Sequence, residues 1–242
     1  MAWQRLDKYL SNAGCGTRTE VKQLLKKGLV TVNGVPAVKP EQKVDPEKDQ
    51  IFCKGAAVCL EQYRYFMLYK PAGYLSATED RRQPVVLDLI KEKKKEELFP
   101  VGRLDMDTEG LLLLTNDGAL AHGLLSPRKH VDKTYFAKIR GQVTEEDCAR
   151  FREGLDIGEK KKTMPARLVI LETYPEVTEI EITIQEGKFH QIKRRFEAVG
   201  KQVVYLKRLS MGNLRLDERL QPGEYRSLTE TEIEGLREHV RT

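Results

Sequence analysis

The segment best suited to chemistry is GRLDMDTEGLLLLTNDG, residues 102–118. In it, a polar loop with Asp105 and Asp107 leads directly into a fully apolar strand, which would anchor the loop against the core. Carboxylates that are rigid and partly desolvated are suited to nucleophilic or acid–base catalysis. The sequence therefore indicates a catalytic carboxylate in this loop.

Two other interpretations fit the same pair of aspartates. They can satisfy turn amides ahead of a strand, or they can form half of a magnesium site. The sequence has no companion carboxylate cluster and no phosphate-binding glycine loop, which argues against a metal. The cysteines form no CxxC pair and have no histidine at zinc-finger spacing, so reduced thiols are expected at Cys15, Cys53, Cys59 and Cys148.

A second polar cluster occurs in EGKFHQIKRRFEAVG, residues 186–200. Spacings of three and four predict a helix whose apolar face comprises Phe189, Ile192 and Phe196. The same spacing predicts an opposite, polar face with His190, Lys193 and Arg194. That face is either a contact surface for a polyanionic partner or a solvated surface.

The first 60 residues form a separate basic module. They hold ten Lys and Arg against six Asp and Glu, whereas the whole chain of 242 residues has a net charge of +5. Two short helices and a hairpin turning at Asn33-Gly34 are predicted. On the second helix Arg18, Lys22 and Lys26 recur every four residues and form a basic stripe, which favours a polyanionic partner over a merely solvated face.

The remaining sequence mixes strands and helices without a repeating strand-helix-strand pattern. Strands are predicted at YFMLY, LLLLT, KTYFAKI, RLVILETY, VTEIEITI and VVYLKRL, and helices after Asn116-Asp117-Gly118, from Thr144 and from Thr229. This pattern predicts an α+β fold with a mixed, largely antiparallel sheet. We expect domains at 1–60 and 61–242, joined by a linker near residues 53 to 63.

The composition predicts a folded, water-soluble chain, with 40% hydrophobic and 33% charged residues. No apolar stretch approaches the roughly 20 residues that cross a bilayer, and the start lacks a signal-peptide pattern. A cytosolic protein without membrane association is expected.

Two resemblances extend this interpretation. RLDKYLSNAGCGTRTEVKQLLKKGLVTVNG resembles the small RNA-binding S-four domain. The loop around Asp105 resembles the signature of the pseudouridine synthases of the RsuA and RluA type. Further matches follow in YFMLYKPAGYLSAT, SPRKHVDKTY, EGKFHQIKRRFEAVGKQVVYLKR and LQPGEYRSLTETEI, and the similarity is greatest to the RsuA group, which acts on ribosomal RNA.

The resemblance implies a role for individual residues. Asp105 is the implied catalytic carboxylate, acting by nucleophilic attack or by proton abstraction. Tyr135 is implied to pack against the target base, and Lys188 to be the cation paired with the aspartate. Arg103 is implied to enter the RNA stack vacated by the flipped nucleotide. The expected RNA-contact residues are Arg103, His190, Gln191, Lys193, Arg194, Arg18, Lys22 and Lys26.

The resemblance also implies the reaction and its partners. Pseudouridine formation is an isomerisation, so no cofactor and no metal are expected. A uridine of small-subunit (16S) ribosomal RNA is the favoured target, because the chain is short and lacks a long charged tail. Large-subunit (23S) ribosomal RNA and a non-enzymatic role in ribosome assembly remain alternatives. The substrate is either free RNA or a pre-ribosomal particle, and a monomer is expected.

The basic module generates a first prediction. Removing residues 1–60 should leave a folded catalytic domain that binds ribosomal RNA much more weakly and with less dependence on salt, because fewer counterions are released. The combined variant Arg18→Ala, Lys22→Ala, Lys26→Ala should move in the same direction by a smaller step. Binding constants measured across a salt series test this, and identical slopes would show that the stripe is only a solvated face.

Overall fold

The computed structural model describes residues 3–46, 48–58 and 63–241. Contacts within the chain divide it into two compact units, Met1–Gln62 and Tyr63–Thr242. Within the described residues, the first unit contains two helices and short strands, and the second contains one large sheet with helices packed against it.

The first unit combines a helix pair with small sheets. Its elements are β1 (Gln4–Arg5), α1 (Leu6–Asn12), α2 (Arg18–Lys26), β2 (Val30–Val32), β3 (Val35–Pro36), β4 (Lys43–Val44), β5 (Ile51–Cys53) and β6 (Ala56–Ala57). A capping box between Thr17 and Glu20 starts α2. Between β2 and β3, Asn33 and Gly34 both have positive φ, at 51° and 80°, as a tight hairpin of this type requires.

The second unit carries the longer elements. They are β7 (Tyr65–Lys70), β8 (Phe99–Pro100), β9 (Glu109–Thr115), α3 (Gly118–Leu125), β10 (Lys133–Arg140), α4 (Glu145–Glu153), β11 (Arg167–Thr173), β12 (Val177–Ile184), α5 (Gln191–Glu197), β13 (Gln202–Met211), β14 (Leu214–Arg215), β15 (Tyr225–Ser227) and α6 (Glu230–Arg241). Short 3-10 turns occur at Val86–Leu89, Lys95–Glu97 and Pro127–Lys129.

The large sheet has the strand order β11-β12-β10-β13-β9-β7-β15, with β14 beside β13 and β8 beside β9. Its strand pairs are antiparallel except for β9 and β13, which run parallel. This arrangement confirms the predicted α+β class and the mixed, largely antiparallel sheet.

Strands β7 and β9 are buried on both faces, which explains the uninterrupted LLLL of β9. Leu112 and Leu114 belong to one apolar cluster, and Leu111 and Leu113 belong to another on the opposite face. A strand that alternates between two cores has no polar face to show in its sequence. The predicted loop that carries Asp105 and Asp107 therefore leads into a strand that is buried on both faces.

Two local predictions differ from the structure. Phe189 precedes α5 instead of belonging to its apolar face, and it is 70% exposed, because His190 takes a left-handed conformation and the helix begins only at Gln191. The predicted linker near 53 to 63 is also wrong in its first part, since β5 pairs with β6 there. Residues 59–62 of that linker, including Cys59, lie outside the described residues.

Thiols and helices give two further observations. Cys15, Cys53 and Cys148 are free. Within residues 3–46, 48–58 and 63–241, no helix has the length and apolar character needed to cross a membrane.

Gly110 provides a test of the β9–β13 pairing. Its φ is +100°, and a Cβ there would lie 2.3 Å from the carbonyl O of Arg208 and 2.7 Å from its amide N. Gly110→Ala should therefore lower the free energy of unfolding by about 2–4 kcal/mol, measured by urea denaturation. Gly118→Ala is the matched control, because nothing lies within 4 Å of its added methyl group. A Gly110→Ala protein as stable as the control would contradict the tight approach of the two strands.

Candidate active site

The loop between β8 and β9 carries Asp105 and is held by Ser76. The Ser76 hydroxyl donates to the carbonyl O of Leu104 at 2.9 Å and accepts from the amide N of Leu104 at 3.0 Å. Ser76 is buried, so both bonds are shielded from water. Both the N–H and the C=O group of Leu104, the residue before Asp105, are thereby held in place.

Lys70, the last residue of β7, holds the other end of the loop. Its fully buried Nζ donates to the carbonyl oxygens of Pro71, Met106 and Thr108, at 3.0, 3.2 and 2.8 Å. Burial lowers the pKa of Lys70 to about 8, although the charges of Asp107 and Asp105 act in the opposite direction. At neutral pH the amine is still mostly protonated and can make three hydrogen bonds.

Asp105 lies between two basic side chains that come from one short segment. Its Oδ2 is 3.2 Å from Nζ of Lys193, and its Oδ1 is 3.6 Å from Nε2 of His190. The Asp105 side chain is 26% exposed and that of Lys193 is 21% exposed, so the ion pair is only partly solvated. This geometry holds the carboxylate in place while part of the side chain remains accessible.

Lys193 also binds the second aspartate of the loop. Its Nζ donates to both carboxylate oxygens of Asp107, at 2.6 and 2.9 Å. Desolvation favours a lower pKa for Lys193, but the hydrogen bond to Asp107 and the charge of Asp105 outweigh it and raise the pKa above its usual value. Lys193 is therefore a permanent cation between two carboxylates at neutral pH.

One cavity brings most of the candidate residues together. It is lined by Arg103, Asp105, Tyr135, Lys188, His190, Gln191 and Lys193. Tyr135 comes from β10 and is buried, whereas Arg103 is exposed beside Asp105 in the chain. An aromatic ring, an accessible carboxylate and several cations are groups that can contact a nucleobase, a ribose and a phosphate, respectively.

Lys188 lines this cavity, but its ammonium group is directed to other partners than Asp105. Nζ lies 3.4 Å from Oε2 of Glu159 and 3.8 Å from Oε2 of Glu186, and it donates to the carbonyl O of Lys161 at 3.3 Å. The cation beside Asp105 is thus Lys193 instead of the Lys188 expected from the sequence. A catalytic role for Lys188 stays a prediction.

Arg194 and Gln191 make mainly internal contacts. Arg194 pairs with Glu159 at 2.9 Å and donates to the carbonyl O of Ile157. The buried Gln191 accepts from the amide N of Lys188 at 3.0 Å and donates to Glu186. Both side chains therefore shape the turn that precedes α5, and their predicted RNA contacts remain untested.

The basic stripe lies in the first unit. Arg18, Lys22 and Lys26 are exposed on α2, while Val21 and Leu25 of the same helix are buried. The stripe and the apolar face are therefore separated on the helix as the sequence predicted.

Sequence reasoning missed three contributions to the site. The sequence predicts an RNA contact for Lys193 and carries no signal of its pairing with Asp105. Lys70 and Ser76 were not singled out at all, although a lysine that ends the apolar strand YFMLYK is a detectable signal of a buried cation.

Among residues 3–46, 48–58 and 63–241, no group of three or more His, Cys, Asp or Glu could hold a metal ion.

Comparison with known proteins assigns this site to a class. A family model described as RNA pseudouridylate synthase matches residues 64–198, and an S4 domain model matches residues 4–51. The chain belongs to the RNA pseudouridylate synthase family, whose members isomerise uridine in RNA to pseudouridine. The resemblance stated from the sequence is confirmed.

Individual relatives extend over almost the whole chain. An uncharacterized RNA pseudouridine synthase of Bacillus subtilis (strain 168) is 50% identical over 97% of this chain and 98% of its own length. The ribosomal small subunit pseudouridine synthase A of Yersinia pestis is 40% identical over 95% of this chain and 96% of its own. A crystal structure of a pseudouridylate synthase, 38% identical, aligns with a TM-score of 0.69 over 96% of this chain and 99% of that one.

The two lysines of the cavity can be distinguished by substitution. Lys193→Gln removes the cation that holds Asp105 and should lower kcat/KM for pseudouridine formation about 100-fold, whereas Lys193→Arg keeps the charge and should retain more activity. Lys188→Gln is the control and should lower kcat/KM by a smaller factor. A larger loss in Lys188→Gln than in Lys193→Gln would show that the ion pair seen here is not the one that supports turnover.

Proposed function

We propose that this protein converts a specific uridine of 16S ribosomal RNA to pseudouridine, with Asp105 as the catalytic carboxylate. The observation that carries the assignment is the ion pair of Asp105 with Lys193 inside the cavity that Tyr135 also lines. The choice of 16S RNA is supported by the relatives that are named ribosomal small subunit pseudouridine synthase A, at about 40% identity over nearly the full length.

The reaction is an isomerisation and needs no external atoms or electrons. The bond from C1′ of the ribose to N1 of the base breaks, the base turns, and C1′ joins C5. The proton of C5 is lost, and N1 gains one. Asp105 acts either as a nucleophile at C1′ or as a base toward the adjacent sugar proton, and both routes use the same carboxylate in the same place.

The other cavity residues have supporting roles in this proposal. Lys193 holds the Asp105 carboxylate by Coulomb attraction, so the reacting oxygen is already positioned when RNA binds, whichever of the two routes is followed. Tyr135 offers its ring face to the flipped base and its hydroxyl for removal of the C5 proton. Arg103, which is exposed, takes the place of the flipped nucleotide in the RNA stack. This contact offsets part of the free-energy cost of unstacking the uridine, which is roughly a few kcal/mol.

Each domain has its own task in this proposal. Residues 1–60 place the protein on ribosomal RNA through the stripe of Arg18, Lys22 and Lys26, and residues 61–242 perform the chemistry. The enzyme works as a monomer in the cytosol, on free RNA or on a pre-ribosomal particle. Pseudouridine mapping of ribosomal RNA from cells with and without the gene identifies the uridine, and a change confined to 23S RNA would overturn the 16S assignment.

Asp105→Asn tests the catalytic assignment directly. The amide cannot attack or accept a proton as the carboxylate does, so pseudouridine formation should be abolished while RNA affinity and thermal stability stay nearly unchanged. Tritium release from RNA that carries uridine labelled at C5 measures turnover. Asp107→Asn is the matched control and should retain activity at a reduced level, because Asp107 is 71% exposed and contacts Lys193. Substantial turnover by Asp105→Asn would refute the proposal.

A further inference from the structure

Phe189 is an exposed aromatic side chain next to the candidate active site. It is 70% exposed, the largest exposed fraction among the large apolar side chains of the described residues. One face of its ring is stacked on His190, with the ring centroids 3.7 Å apart and an angle of 18° between the planes. With so large an exposed fraction, the opposite face is free to stack on a second planar ring.

The backbone holds Phe189 outward. His190 has a φ of 49°, a left-handed conformation that is uncommon for residues other than glycine. The carbonyl O of Phe189 accepts from Nη1 of Arg194 at 3.3 Å, and on the other side the amide N of Lys188 is bound by Gln191. Strained, hydrogen-bonded turns of this kind are concentrated at ligand sites, where they hold a side chain in place before binding.

The stacked pair is connected to Asp105 through His190. Nε2 of His190 lies 3.6 Å from Oδ1 of Asp105, and His190 lines the cavity. Phe189 does not line the cavity, although its ring lies against that of His190. The ring of Phe189 is therefore outside the space available to the target base, and only the His190 ring separates it from the proposed catalytic carboxylate.

We propose that Phe189 is a stacking platform for an unpaired RNA base directly next to the target uridine, and that His190 supports it from behind. This inference rests on the proposed function, because it places the target uridine at Asp105. An aromatic face stacks on any base without reading its hydrogen-bonding edge, and larger bases stack more strongly. The platform therefore fixes the flanking nucleotide in position and favours a purine there.

Substitution of Phe189 tests the platform with a fragment of 16S ribosomal RNA that contains the target uridine found by mapping. Phe189→Ala should raise KM and the dissociation constant about 5- to 150-fold and leave kcat nearly unchanged, because stacking stabilises the bound substrate and the transition state alike. Phe189→Tyr and Phe189→Trp keep an aromatic face and should restore binding. Tyr174→Ala, which removes a 43% exposed ring from the turn between β11 and β12, is the matched control and should behave as wild type.

A fluorescent base locates the contact. With 2-aminopurine placed in turn on the 5′ and 3′ sides of the target, wild-type protein should quench one of the two positions, and Phe189→Ala should not. The platform would be overturned if Phe189→Ala had the KM of the wild type, or if it quenched 2-aminopurine as strongly as the wild type does. If Asp105→Asn abolishes turnover in the same assay, such a result removes only the platform. If Asp105→Asn stays active, the proposed function itself fails.

Discussion

The buried amine of Lys70 is the interaction on which the geometry of the site depends. An ammonium group without water is unfavourable unless its hydrogen bonds are made within the protein, and here three backbone carbonyls make them. Two of those carbonyls flank Asp107 in the loop, so the requirement to satisfy one buried charge fixes the loop that carries both aspartates. Ser76 completes the restraint at Leu104, and the ion pair with Lys193 then orients the Asp105 side chain itself.

Much of the fold could be predicted from the sequence because its local signals agree with its tertiary structure. The Asn33-Gly34 hairpin, the helix capped by Thr144 and the alternating strand VTEIEITI all occur where expected. The aspartate loop could be predicted because a polar segment directly before an apolar strand is a pattern in the amino-acid sequence itself. Only the family resemblance predicts that Tyr135 of β10 lines the same cavity as Arg103 and Asp105, because β10 is separate in sequence from the loop that carries the other two residues.

The errors at the candidate site concern a single turn. Spacing alone placed Phe189, Ile192 and Phe196 on one helix face, but the left-handed His190 delays the start of α5 and turns Phe189 out to solvent. The same turn directs Lys188 toward Glu159 and leaves Lys193 to meet Asp105. A periodic pattern carries no information about a backbone conformation at one residue, so which of the two lysines reaches the carboxylate was undetermined in the sequence.

The parallel pairing of β9 with β13 has a consequence for how the protein matures on the ribosome. Glu109 and Gly110, just after the aspartate loop, pair with Lys207 and Arg208, almost a hundred positions further along the chain. At about 5–20 residues per second, translation needs roughly 5–20 seconds to cover that separation. During this interval the nascent polypeptide already contains Asp105 but lacks the strand that completes its surroundings. The order of synthesis thus means that the β9 edge next to the aspartate loop has no β13 partner until the chain has been made to Arg208.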